Sequence, residues 1–201
     1  NRFYDVSRGS IEINGVDIRK YNLESLRTQI GYVAQKAHMF KGSIRSNFCF
    51  GKPEASVEEM VHAATVAQAS NFISTREHGY EDEIAEDGTN ISGGQKQRLS
   101  IARVILKKPS LYIYDDSFSA LDFKTDATLR KALKPEVKNA IFFVVAQRIS
   151  TIMDSDMIIV LDEGQIIGMG THAQLLKDCS VYQEIAHSQL TQKELDDYER
   201  N

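Results

Sequence analysis

The sequence predicts an α/β fold with a mostly parallel core sheet. Three observations carry that expectation. First, residues 30–33, 111–114 and 140–145 are short apolar runs without alternation. That is the pattern of strands buried on both faces of a parallel sheet. Second, segments with helical spacing separate these runs, at residues 56–68, 93–108 and 125–133. Third, the run at 111–114 ends in Asp115-Asp116, and α/β proteins place ligands at the C-terminal ends of their strands.

The totals bound the rest. At 201 residues the chain is about one domain. Its 42% hydrophobic and 26% charged residues are ordinary for a globular protein. A net charge of −4 without a basic block argues against nucleic acid as the main partner. Cys49 and Cys179 give neither metal-ligand spacing nor a disulfide framework, which fits a reducing, cytosolic setting. No apolar run approaches the roughly 18 residues that span a bilayer. No signal peptide is legible at the N-terminus. A role in a membrane process would need other segments to cross.

Taken in order, residues 1–6 have no cap before them and read as the end of an element. Ser10 to Ile13 alternates, and Asn14-Gly15 is a hairpin turn signal before Val16-Asp17-Ile18. Asn22 is placed to cap a short helix carrying Leu23 and Leu26. The strand at 30–33 ends in Ala34-Gln35. Ser56 caps a helix to about residue 68, with Val57, Met60, Val61, Ala64 and Ala67 near one face. His62 lies in it and is assigned no role. A short helix follows at 71–76, broken by His78-Gly79-Tyr80. Residues 81–87 carry five acids in seven positions, by composition a solvated loop.

Ile91-Ser92-Gly93-Gly94-Gln95 then leads into a helix. Glycines before a helix leave backbone N–H groups unpaired at the positive end of its dipole, an arrangement that suits phosphate. Pro109-Ser110 ends this helix. After the strand at 111–114 come Asp115-Asp116 and Ser119-Ala120-Leu121-Asp122. A helix at 125–133 is ended by Pro135. The strand at 140–145 leads to Ala146-Gln147. Two strands flank the Glu163-Gly164 turn signal, at 157–161 and 165–170. Thr171 caps a helix to about residue 177, and 181–189 reads as a closing helix. The last dozen residues are polar, and fraying is expected there.

The series of glycine pair, helix, strand, paired acids and Ser-Ala-Leu-Asp resembles the nucleotide-binding domain of ABC transporters. The resemblance covers nearly the whole chain. It implies an ABC ATPase core of the P-loop kind with a mostly parallel sheet, a helical subdomain at about 43–105 and C-terminal helices at about 171–189. On this resemblance Ile91 to Gln95 is the signature motif, with Ser92, Gly93, Gly94 and Gln95 binding the γ-phosphate of ATP held by an opposite domain. Asp115 is the Walker B aspartate that holds Mg²⁺. Asp122 closes the D-loop and is implied to take part in binding the nucleotide. Gln35 is the Q-loop glutamine that senses γ-phosphate and metal. The exporter branch is implied by residues 42–47 after the Q-loop. It is also implied by the acidic segment, where Glu86 matches although Ala85 and Asp87 depart from the usual glycine and arginine. The implied cofactors are ATP and Mg²⁺. The implied partners are transmembrane domains and a second nucleotide-binding domain, at the cytoplasmic face of the membrane.

Two departures and one absence qualify this. The catalytic glutamate is replaced by Asp116, whose carboxylate is displaced by about 1 Å, a shift able to cost roughly 10²-fold in rate. The switch histidine is replaced by Gln147, which keeps a donor and an acceptor but cannot carry a proton's charge. Together they resemble the degenerate half of a heterodimeric exporter. Gly-x-x-x-x-Gly-Lys-Ser/Thr does not occur; Gly51-Lys52-Pro53 is the nearest approach. The chain therefore reads as a domain cut just after the phosphate-loop helix, and the isolated fragment is expected to be inactive. Two other readings remain open: a regulatory or assembly module without turnover, and an ABC ATPase outside transport.

Overall fold

The computed structural model describes residues 1–191; the polar tail expected to fray falls largely outside them. The chain divides into two compact units, the first ending at Val145 and the second beginning at Ala146.

The first unit opens with a hairpin of β1 (Glu12–Ile13) and β2 (Val16–Asp17). Asn14 and Gly15 both take positive φ, 52° and 74°, as a two-residue turn of this twist requires. Helix α1 (Leu23–Gln29) starts where the Asn22 side chain accepts from the N–H groups of Glu24 and Ser25. Strand β3 (Ile30–Val33) follows directly. Next come β4 (Gly42–Ser43), α2 (Ile44–Cys49), α3 (Val57–Val66), α4 (Ser70–Ser74) and β5 (Glu83–Ile84), with β4 and β5 antiparallel. Ser56 and Glu59 form a reciprocal capping box at the start of α3. Met60, Ala64 and Ala67 are buried as their spacing predicts, but Val57 and Val61 are exposed. The packed stripe of α3 is narrower than its run of apolar residues, because Ala63 and Val66 complete it instead.

Helix α5 (Gly93–Lys107) is the central support. Leu99, Ile101, Ala102, Ile105 and Leu106 are buried in the main core, each large one contributing about 1.5–3 kcal/mol. Lys108, at φ 51°, turns the chain out of the helix. Strand β6 (Leu111–Asp115), helix α6 (Phe123–Glu136) and strand β7 (Ile141–Val145) complete the unit. The sheet order is β3-β6-β7, all parallel.

The register gives this sheet two unlike faces. Val33, Tyr112, Tyr114, Phe142 and Val144 share one face and join the main core with α5 and α6 residues. Gly31 lies on the same face, and a Cβ there would come within 2.5 Å of Val104 and 2.6 Å of Pro109. Only glycine lets Val104 of α5 and Pro109, two residues past its end, approach so closely. Tyr32, Ile113 and Asp115 lie on the other face with Ile141, Phe143 and Val145. The last three are 62%, 55% and 54% exposed. Full burial on both faces, expected from the apolar runs, is therefore corrected for β7 and in part for β6. One face of each is packed; Leu111 and Ile113 are half-covered by the small cluster of Ile18, Leu26 and Ile30. Pro135 is also corrected as a helix end. It lies inside α6, one residue before its last, where a lost N–H bond disturbs only the final turn.

The second unit contains α7 (Ile149–Ile152), the antiparallel pair β8 (Ile158–Asp162) and β9 (Gln165–Gly170), and helices α8 (His172–Asp178) and α9 (Ser180–Gln189). Its core joins Ile149, Ile158, Val160, Leu175, Tyr182 and Ala186. Among the described residues no helix is long and apolar enough to cross a membrane.

Candidate functional site

Two groups of polar residues stand out in the first unit. The first lies at the C-terminal ends of β3 and β6. Gln35 follows β3 and donates through Nε2 to Asp116 Oδ2 at 3.1 Å. Asp115 ends β6 and accepts from the Tyr32 hydroxyl at Oδ2, at 2.9 Å. Burial, then the hydrogen bond to Asp115, raises the Tyr32 pKa, so the phenol stays protonated and able to donate. Asp116 takes φ 43°, a left-handed conformation that aspartate tolerates better than most residues. Its N–H donates to Val145 O, and its carbonyl accepts from Ser119 Oγ at 2.7 Å. The fully buried Ser117 donates to Val33 O at 3.1 Å, tying this turn back to β3. Gln97 on α5, also buried, donates to Ala34 O at 3.1 Å and so holds the chain just before Gln35.

The second group is the N-terminus of α5. Ser92 Oγ accepts from Gln95 N–H at 3.2 Å, and Gln95 Oε1 accepts from Ser92 N–H at 2.9 Å. This box satisfies two backbone donors and leaves those of Gly93 and Gly94 without a partner inside the helix. Ser92 and Gly93 are exposed. A Cβ on Gly93 would meet nothing within 4 Å, whereas one on Gly94 would lie 3.4 Å from Ala120 O. Gly94 thus packs the helix start against the turn at 119–122. Asp122 caps α6, its carboxylate accepting from Thr125 N–H at 2.9 Å. That hydrogen bond holds its pKa below the usual carboxylate range.

The acidic segment is tied to the same helix. Asn90 bridges Ala85 N–H and Glu83 O, and Lys96 Nζ donates to Asp87 O at 2.6 Å. Asp87 sits at φ 53°, a second left-handed position held by aspartate. Glu86 is exposed.

The structure therefore brings Gln35, Asp115 and Asp116 together, and joins residues 92–95 to the turn that ends in Asp122. Gln147 belongs to the second unit. There it is exposed, and its carbonyl accepts from Gln189 Nε2 at 2.8 Å. Sequence reasoning passed over Tyr32, Gln97 and Ser117. The period of two along β3 could have flagged Tyr32, because it puts that residue on the face that carries Asp115.

The family profile described as ABC transporter matches residues 1–119. The chain belongs to the ABC transporter family. Among curated ABC relatives, the putative multidrug export ATP-binding/permease protein YgaD of Bacillus subtilis is 46% identical over 184 residues, covering 92% of this chain and 32% of its own. Heavy metal tolerance factor 1 of Caenorhabditis elegans is 40% identical over 192 residues, covering 96% of this chain and 24% of its own. A bacterial Atm1-family ABC exporter solved with ATP bound superposes with a TM-score of 0.90 at 37% identity, over 93% of this chain and 33% of that one. The chain thus spans about a third of the length of the first ABC relatives. The expected α/β fold with a parallel sheet agrees with that likeness.

Asp115, Asp116 and Gln35 offer only oxygen donors and one amide. Among the described residues there is no cluster of three or more His, Cys, Asp or Glu able to hold a metal. That donor set suits Mg²⁺, which keeps several waters and takes one or two carboxylates beside phosphate oxygens.

Proposed function

We propose that this chain is the greater part of the motor domain of an ATP-driven exporter, with a degenerate site of its own. Its signature would complete the ATP site of a second nucleotide-binding domain. The observation that carries the reading is the start of α5. Gly93 is exposed, a Cβ on it would meet nothing within 4 Å, and the N–H groups of Gly93 and Gly94 lie in the first turn of α5, where helix geometry gives them no intrahelical partner. Ser92 Oγ accepts from the helix, so its proton remains available to a phosphate oxygen. Gln95 acts indirectly, by holding Ser92 in place.

At the other group, Asp115 would hold Mg²⁺ through water, and Gln35 would contact the metal and γ-phosphate. Mg²⁺ supplies charge neutralisation for the phosphates when bound. Gln35 now donates to Asp116, so the same amide both restrains that carboxylate and has a hydrogen to offer a ligand. Asp116 would act as a weak general base, since its reach is one methylene short. Gln147 would orient the γ-phosphate without charge. Asp122, engaged as the α6 cap, would fix the turn and leave nucleotide contact to its neighbours. The phosphate loop would come from chain outside these 201 residues, on the open sheet face of Ile141, Phe143 and Val145. Transmembrane domains would be the mechanical partners, which would put the domain at the cytoplasmic face.

In the full-length exporter, with the opposite site disabled, Asp116→Glu together with Gln147→His should raise turnover about tenfold or more. Glutamate is less at ease at φ 43°, so thermal stability is measured alongside. Equal turnover from a stably folded double variant and wild type would refute the degenerate-site reading.

A further inference from the structure

We infer that Tyr32 is a positioning residue for Asp115, selecting which carboxylate oxygen is left to face the metal and its water shell. This rests on the proposal that Asp115 serves Mg²⁺. The sheet register creates the contact. Tyr32 pairs with Ile113, and Asp115 is two residues further along β6, so all three side chains share one face. A diagonal neighbour on a sheet face is about 7–8 Å away, within reach of an aromatic ring but not of a small side chain. The tyrosine hydroxyl spans that gap and donates to Oδ2 at 2.9 Å.

Asp115 has no other hydrogen bond through its side chain among the described residues, and it lies half-buried on the sheet face whose β7 residues are exposed. Terminal carboxylate torsions are broad and two-fold. Without the phenol, Oδ1 and Oδ2 would be interchangeable by rotation. With it, Oδ2 is occupied by a charge-assisted bond and Oδ1 remains. Loss of an outer partner beside a directly bound ligand typically weakens metal binding about 10–100-fold, and the lower end of that range applies to a carboxylate that acts through water. The edge contact of the Phe3 ring, 6.0 Å from the Tyr32 ring, helps to hold the phenol in turn.

The test uses the full-length exporter with the opposite site disabled and a non-hydrolysable ATP analogue present. Mn²⁺ binding is followed by electron paramagnetic resonance for wild type, Tyr32→Phe and Asp115→Asn. Tyr32→Phe keeps the ring and removes only the hydroxyl. It should weaken Mn²⁺ binding about tenfold, with analogue affinity in chelator and the melting temperature unchanged. If Asp115→Asn weakens Mn²⁺ binding and Tyr32→Phe does not, the inference fails and the Asp115 assignment stands. If Asp115→Asn has no effect, both fail. If Tyr32→Phe loses metal affinity only in step with a lower melting temperature, the role is structural and the inference is overturned.

Discussion

Gly93→Asp separates a phosphate-binding helix start from a merely structural one. The structure sets the folding side of the comparison. A Cβ at Gly93 meets nothing within 4 Å, and the residue lies in helical backbone with no positive φ. Any L residue fits. Replacing glycine in a helix gains up to about 0.5–1 kcal/mol, less at the first position. An acid in the first turn adds about 0.3–1 kcal/mol through the dipole. Folding stability should therefore hold or rise slightly. The functional side is opposite. A carboxylate about 4 Å from a phosphate oxygen repels it by about 4 kcal/mol at an effective dielectric of 20, roughly a thousandfold in occupancy. The assay is a melting curve beside steady-state ATPase of the assembled exporter. Near-wild-type ATPase would refute phosphate binding at Gly93. A variant that unfolds would refute the structural account of open space.

Tyr114 is fully buried, and its hydroxyl has no hydrogen-bond partner among the described residues. Tyr114→Phe should stabilise the chain by about 1–3 kcal/mol in urea titration, because an unsatisfied hydroxyl leaves the core; a destabilised variant would point to a missing partner. His172, buried beside Tyr182, has a pKa lowered chiefly by burial, against a smaller opposing pull from Asp154. The folded state then binds fewer protons than the unfolded one. Its contribution is complete above the unfolded value, about 6.5, and is lost as pH falls below it. Melting temperature should drop as pH falls below about 6.5, and His172→Gln should flatten that part of the profile; the same slope in the variant would count against this source.

Much of the fold was legible because its signals are local. Asn22, Ser56 and Thr171 each cap the helix that begins after them. Asn14-Gly15 makes its hairpin. The strand at 30–33 ends where its apolar run does. The errors came from long-range packing. Ile141 to Val145 reads as doubly buried, yet only Phe142 and Val144 meet the core. An apolar run says what a strand would bury, not what the chain supplies to cover it. Pro135 was legible as a breaker, but α6 is long enough to carry it in the last turn. At the candidate site, Gln35 and Asp116 could be named from order along the chain, and they meet at 3.1 Å. Tyr32, Gln97 and Ser117 could not be named that way. Their bonds join residues 83, 63 and 84 apart, and only the β3–β6 register and the α5 packing bring those partners together. Gly31 had a local signal, a glycine inside an apolar strand, whose meaning depends on how near Val104 comes.

The central claim is that this chain lends a near-intact signature to an opposite site and has a weak site of its own. Steady-state ATPase of the assembled exporter carrying Asp116→Asn, set beside Gly93→Asp, tests it most directly. The expected result is that Asp116→Asn keeps most of the wild-type rate while Gly93→Asp abolishes it, because on this proposal the site containing Asp116 would already turn over slowly. A loss with Asp116→Asn as deep as with Gly93→Asp would contradict the asymmetry, and would make Asp116 the working base of a symmetric pair.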